Sequence, residues 1–325
     1  MFKPFLHPIL AVFLFAAIPI ISSAQKNDTL KTYPEICVLV DNDAFTLNKD
    51  LDHYYTTGIY LGYKKPARDR SIGHYSTKTQ KQITLQMRMF TPIYIGMTDP
   101  AYMDRPFAAV LSLAYKHSFY FSIPLYFGIG AEAGWIGPSN RISGMQELLH
   151  DVFRMQKALG WKFQINDAPI FNIYLDAARG ISTGRQSDII FESHLAAGNL
   201  FTFFRQEVLF RIGKLQAINN SMHYGASIKS NELSDKTNEI YFFAGPGIEG
   251  VVHNGSIEGN LIGKKSIYTE KAFPFVYKFR MGFMMQRRTY SFGVVYHWLT
   301  KETIWARNHQ YVGILFTQKL NTKHD

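Results

Sequence analysis

Beyond residue 24, apolar and polar positions alternate in runs of about 8–14 residues. In "IYLGYKK" (59–65) and "TLQMRMF" (84–90), one set of alternate positions is apolar and the other carries Gly, Lys, Gln or Arg. A soluble β-sandwich alternates in the same way. Two features favour a membrane: the runs exceed the usual strand length of about 5–6 residues, and Tyr and Phe gather near their ends. Apolar outside and polar inside is the pattern of a transmembrane barrel strand. No apolar stretch after residue 24 reaches the ~18–20 residues that a spanning helix needs. The expected fold is therefore all-β, a transmembrane antiparallel β-barrel. About thirteen runs fit between Pro34 and Leu320, whereas closed bacterial barrels usually have an even strand number. One run must be wrong, merged or off the barrel. The uncertain ones are "FESHLAAGNLFTFF" (191–204) and "VVHNGSIEGNLIG" (251–263). The chain also runs past Phe316 to a polar "NTKHD" tail, where many such barrels end on an aromatic residue.

One segment breaks the pattern. In residues 137–161, Gly137-Pro138 stops a strand, and Ser143 with Gln146 reads as a capping box. Met145, Leu148, Leu149, Val152, Phe153 and Leu159 then form a stripe at helical spacing, and Gly160 reads as the stop. A helix over about 143–159, placed between two barrel strands, lies in a loop at the mouth or against the wall. Gln146 and His150, four apart, share one face of it. The plainer readings are a capping glutamine and a solvated histidine.

Composition agrees with a barrel: aromatic residues are 15%, charged residues only 18%, and there are 24 glycines. The N-terminus adds the compartment. Lys3 precedes an apolar run broken by Pro8 and Pro19 and ending in Ser22-Ser23-Ala24, the small-x-small site of a secretory signal peptide. Residues 1–24 are expected to be removed, leaving 25–325 as one outer-membrane domain. Gln25, not a cysteine, directly follows the site, so a lipoprotein is not expected. The formal net charge is +10, and removal of 1–24 takes away only Lys3. A basic exported chain suits lipid phosphate, and export argues against nucleic acid. Cys37 is the only cysteine, so no intrachain disulfide is available.

Chemistry concentrates where two runs meet. "VLVDN" ends at Asn42 and Asp43, and "DHYYTTG" (52–58) opens the next run. If one strand ascends and the next descends, then Asn42, Asp43, Tyr55 and Thr56 lie near one rim. Residues 90–92, 135–138 and the start of the helix reach that rim too, so His150 can approach Asn42 and Asp43. The Asp43 carboxylate and Asn42 amide oxygen are hard ligands for a Ca2+-like cation. A neutral His150 can deprotonate a water, and a cation polarising an ester carbonyl stabilises an oxyanion. The competing reading is ordinary turn residues at strand ends. Arg105 is expected to pair with an acidic neighbour, with a phosphate contact as the alternative.

Taken together, "DNDAF", "DHYYTTGIYLGY", "TP", "DRPFAAVLSLAY", "GWIGPSNRISGMQELLHDVF" and "GWKFQI" followed by "AP" resemble the outer-membrane lipid A 3′-O-deacylase family. The likeness spans nearly the whole mature chain and is strongest over 38–169. It implies a barrel of about 12 strands with an active site between the outer-leaflet end of the wall and an extracellular loop helix. It also implies Ca2+-dependent removal of the 3′-acyloxyacyl group of lipid A, from lipopolysaccharide in the outer leaflet, by a monomer. The family's asparagine–aspartate pair falls on Asn42 and Asp43, its threonine on Thr56, and its glutamine and histidine on Gln146 and His150. His150 would activate water. The chain departs from the family pattern at Gln156 and Arg88, where acidic residues are expected, and in the loop "IYIGMTDPAYM" (93–103).

Two other classes compete. An outer-membrane phospholipase needs a Ser–His pair such as Ser193-His194, but adjacent strand residues point to opposite faces. A non-enzymatic barrel, pore or structural, needs none of the site residues.

Overall fold

A computed structural model describes residues 33–46, 54–72, 75–144, 146, 158–226 and 238–320. Twelve strands follow one another: β1 (Glu35–Asn42), β2 (Tyr54–Ile72), β3 (Tyr75–Thr91), β4 (Ala108–Phe121), β5 (Leu125–Ile136), β6 (Ala168–Ser182), β7 (Ser187–Gly198), β8 (Phe201–Lys214), β9 (Glu239–Asn254), β10 (Phe275–Gln286), β11 (Tyr290–Leu299) and β12 (His309–Lys319). Each pairs antiparallel with its sequence neighbours, and β1 pairs with β12, so the sheet closes on itself. Closure satisfies every ladder and removes the edges, which a sheet in hydrocarbon requires.

The strand count resolves at the two ambiguous segments. "FESHLAAGNLFTFF" is the end of β7 and the start of β8, joined at Asn199 and Leu200. "VVHNGSIEGNLIG" is not a separate strand: residues 251–254 finish β9, and Gly255–Glu258 form a short helix capped by the Asn254 side chain.

Apart from the connection between β8 and β9, turns of two to four residues mark one end of the barrel, the periplasmic end by the usual asymmetry; apart from the two-residue turn between β7 and β8, longer loops mark the other. The lumen is packed with ion pairs, among them Lys64–Glu35 at 2.9 Å, Lys116–Asp176 at 2.5 Å, Arg205–Glu249 at 2.7 Å and Lys278–Glu249 at 3.0 Å.

Two devices close the ends. At the periplasmic end, residues 215–226 between β8 and β9 fold inward. Tyr120 Oη donates to the Tyr224 carbonyl (2.7 Å), Tyr224 Oη donates to Glu192, and Arg211 donates to Ser221 Oγ (2.9 Å). Ile218, Met222 and Ala226 pack there with Tyr126, Ile190, Tyr241 and Phe243.

At the extracellular end, Arg105 has no exposed surface and joins three loops. It donates to Glu302 (3.1 Å) and Ser256 (3.0 Å) and lies over the Phe90 ring at 4.8 Å. Burial pulls its pKa down, opposed by Glu302 and Asp104. The expected acidic partner of Arg105 is thus Glu302. Nearby, Tyr54 Oη donates to Asp104 (2.7 Å) and accepts from the Arg307 amide (2.6 Å).

Candidate active site on the outer wall

The site begins with a break in β2. Tyr55 pairs with Phe90 and Thr57 with Met89, so Thr56 is the extra residue of a β-bulge. The bulge turns Tyr55 into the lumen, where its hydroxyl donates to Asp41 (2.9 Å), and leaves Thr57 facing outward. Gly58 makes room for this, because a Cβ there would sit 1.9 Å from Tyr55 Oη. Thr56 itself is fully buried and donates to the Met89 carbonyl at 3.2 Å.

Asn42 ends β1 directly across from Thr57. Its amide donates to Thr57 Oγ1 (3.0 Å), and its oxygen accepts from the Ala44 amide (2.8 Å), a local turn that fixes the side chain. Asp43 is buried and opens the 3-10 helix Asp43–Thr46. The register continues the outward row from Asn42 and Thr57 to Met89 and Ala109.

Strand side chains that face outward in a barrel meet lipid, and lower on β3 they do: Ile83 and Leu85 are exposed. Met87 and Met89, on the same face, are buried. The loops between β3 and β4 and between β5 and β6 fold down over them, bringing Ile95, Met103, Phe107, Ile142, Ala158 and Trp161. Asn140 holds this lid to the wall by donating to the Ala109 carbonyl (2.7 Å). Gln146 lies 3% exposed in the lid, and its oxygen accepts from Trp161 Nε1 at 2.9 Å.

The structure therefore brings Asn42, Asp43 and Thr56 to one rim and ties Gln146 to the apolar cluster beside it. His150, Gln156 and most of the expected helix lie outside the described residues. Ile142–Gly144 and Gln146 are helical. The details of the ends differ from expectation. Asn140, not Ser143, caps the start, its oxygen accepting from the Ile142 amide at 3.0 Å. Leu159, expected on the apolar stripe, is half exposed and starts a 3-10 helix, Leu159–Phe163. Gly160 is not a helix stop: a Cβ there would meet the Phe107 ring at 2.2 Å. Sequence reasoning missed Thr57, Trp161 and Asn140. For Thr57 alternation was itself a signal, because it carries the outward row of Tyr63, Leu61 and Ile59 on to residue 57; the bulge misplaces only Tyr55.

Arg88 faces the lumen and pairs with Glu132, so its departure from the family pattern sits on the opposite side of the wall. Ser193 and His194 do diverge. Ser193 donates to Gln206 (2.7 Å), while His194 Nδ1 lies 2.9 Å from Asp176.

For a cation, the donors at the rim are of the right kind: the buried Asp43 carboxylate and the Asn42 amide oxygen, held by its turn. Among the described residues a second set, Glu192, His194 and Glu207, lies in the lumen with ligand atoms within 4.8 Å of one another. Arg280 already neutralises it, pairing with Glu192 and, at 3.0 Å, with Glu207.

The fold and the wall-side packing define an outer-membrane β-barrel whose extracellular loops fold down over its own outer surface. More narrowly, the chain belongs to the LpxR family of outer-membrane proteins, whose description, "Outer membrane protein LpxR", matches residues 9–319. Among solved structures it is similar to LpxR from Salmonella typhimurium, with a TM-score of 0.68 and 18% identity over 88% of this chain and 100% of that one. At that identity the likeness establishes the fold. The beta domain of the Bordetella autotransporter Brka matches with a TM-score of 0.46 and 8% identity, over 90% of this chain and 99% of that one. A comparison with curated proteins finds no match.

Proposed function

We infer that this chain is an outer-membrane ester hydrolase that removes the 3′-acyloxyacyl group from lipid A in the outer leaflet. It acts as a monomer after cleavage of the signal peptide at residues 1–24. The observation that carries this reading is the position of the Asn42–Thr57 pair. It sits on the outer wall, in line with Met89 and Ala109, where a lid covers apolar surface at the rim. An ester between sugar and acyl chain lies at that boundary in a glycolipid.

Each residue has a role in this reading. His150 takes a proton from the attacking water. Asn42 and Asp43 hold Ca2+, which supplies charge stabilisation to the ester oxygen when bound. Thr56 fixes the β1–β2 rim through its bond to β3. Gln146, four positions before His150, anchors the lid through its bond to Trp161. Ser193 and His194, the pair considered for a phospholipase, turn to different partners, and the ion-paired, plugged lumen suits a pore poorly.

The test is mass spectrometry of lipid A from cells expressing the wild type, His150→Ala or Asp43→Ala, with folding checked by heat-modifiable migration. Loss of the acyloxyacyl mass in the wild type alone, abolished by a calcium chelator, is expected. Unchanged lipid A from a folded wild-type barrel sinks the reading. Full activity in excess chelator removes the metal from it.

A further inference from the structure

Four strands round the wall from Thr57, a second surface joins cationic and apolar groups. In the loop between β9 and β10, Leu261, Ile262 and Ile267 are 67%, 53% and 71% exposed, and Lys264 and Lys265 between them are exposed. This segment is fixed to the rim at β6. Asn166 donates to the Lys265 carbonyl (2.6 Å) and, through its backbone amide, to Ser266 Oγ (2.9 Å). Gly263 passes so close that a Cβ would meet Ala168 Cβ and the Asp167 carbonyl at 3.3 Å. Exposed apolar side chains flanking lysines are the signature of a lipid interface.

Directly below, the lipid face of the barrel is hollowed. A groove of about 540 Å3 is lined by Ile83, Leu113, Tyr115, Phe171 and Ile173, with Ala131 and Ala133 on β5 as its floor. The register sets Leu113, Ala133 and Phe171 in one row and Tyr115, Ala131 and Ile173 in the next. Trp135, the next outward residue up β5, stands at the top of the groove and donates its indole N–H to Asp167 at 3.0 Å. Asp167 adjoins the residue that anchors Lys265. Ala133 lies three residues below the level of Ala168, about 10 Å at strand rise. That spacing fits a headgroup phosphate at the lysines and an acyl chain along the floor.

We propose that Lys264 and Lys265, with the β4–β6 groove beneath them, bind a phosphorylated outer-leaflet lipid, its phosphate on the lysines and one acyl chain over Ala131 and Ala133. Charge complementarity and the groove's place on the lipid-facing wall choose this occupant. The inference needs only the outer-membrane location and does not depend on hydrolysis.

The test is native mass spectrometry of the delipidated full-length mature chain in detergent. The probe is bisphosphorylated lipid A, beside the same lipid with its phosphates removed. The wild type is expected to retain one phosphorylated lipid. Dephosphorylation, or the double variant Lys264→Glu/Lys265→Glu, should cut the retained fraction about tenfold or more. Ala131→Leu/Ala133→Leu, which fills the groove, should cut it as well while heat-modifiable migration stays normal. Asp43→Ala should keep the lipid. The adduct's mass reports hydrolysis separately, intact in Asp43→Ala and deacylated in the wild type if the proposed reaction occurs. No retained lipid on the wild type, or equal retention after charge reversal, overturns the lysine site. Loss in Asp43→Ala with retention in the lysine variant places the lipid at the Asn42–Thr57 rim instead and also overturns it. Full retention after groove filling overturns the acyl position.

Discussion

Replacing Arg105 by Met tests whether the extracellular cap is held by one buried cation. The guanidinium donates to Glu302 and Ser256 and covers the Phe90 ring, with no exposed surface of its own. Hydrogen bonds to a charged group contribute about 1.5–3 kcal/mol each, and breaking a buried pair costs about 3–5 kcal/mol. The Glu302 side chain keeps 19% of its exposure, so water relieves part of the stranded charge. The lower end of that range, about 3 kcal/mol, is the expected loss. Arg105→Lys keeps the charge but not the fork that reaches both partners, and should lose about half as much. The assay is urea unfolding in lipid vesicles followed by tryptophan fluorescence. A double-mutant cycle with Glu302→Gln should show non-additivity of about 1.5 kcal/mol or more. A loss under about 0.5 kcal/mol, with no coupling, would refute the stapling argument. It would favour the phosphate contact that the sequence left open for this residue.

Other outcomes follow from single contacts. Thr57→Val removes the acceptor of the Asn42 amide and should lower turnover about tenfold with little change in folding, whereas an inert Thr57→Val beside a dead Thr56→Val would return the role to Thr56. Gly160→Ala pushes a methyl into the Phe107 ring and should destabilise the lid by about 1–3 kcal/mol, read as faster hydrogen exchange over residues 159–165. The wild type should give no conductance steps in a planar bilayer, while Arg211→Ala/Tyr224→Ala, which frees the plug, should give them; a silent double variant would show that the lumen's ion pairs block flow alone.

Alternation along the chain was enough to read an all-β outer-membrane barrel, because facing lipid on one side and polar groups on the other imposes a period of two on every strand. The strand number was less legible. A turn as short as Asn199-Leu200 leaves little polar punctuation between β7 and β8, and the capped helix after Asn254 continues the apolar content of β9. At the site, Asn42 and Asp43 were readable as polar residues ending an apolar run. Thr57 was readable as the next outward position after Tyr63, Leu61 and Ile59; the bulge overrides the alternation only at Tyr55, which it turns into the lumen. Asn140 and Trp161 act through the fold of the lid, by a bond to a distant carbonyl and a bond to Gln146, and neither contact leaves a local pattern. The same holds for Gly160, whose small size answers to Phe107, 53 positions earlier in the chain.

The extra residue at Thr56 has an evolutionary consequence. Removing this one codon would restore a regular ladder and make Tyr55 and Thr57 consecutive residues, which point to opposite faces as they do now. The Tyr55–Asp41 contact inside and the Asn42–Thr57 contact outside would both keep their faces, and what would be lost is Thr56 with its bond to the Met89 carbonyl. A barrel of the same size and composition could therefore gain or lose this buried threonine through a single in-frame insertion or deletion, without turning the residues beside it over. Along this lineage, a gap at that position would mark a barrel that keeps its Asn42–Thr57 pair on the outer wall without the buried threonine beside it.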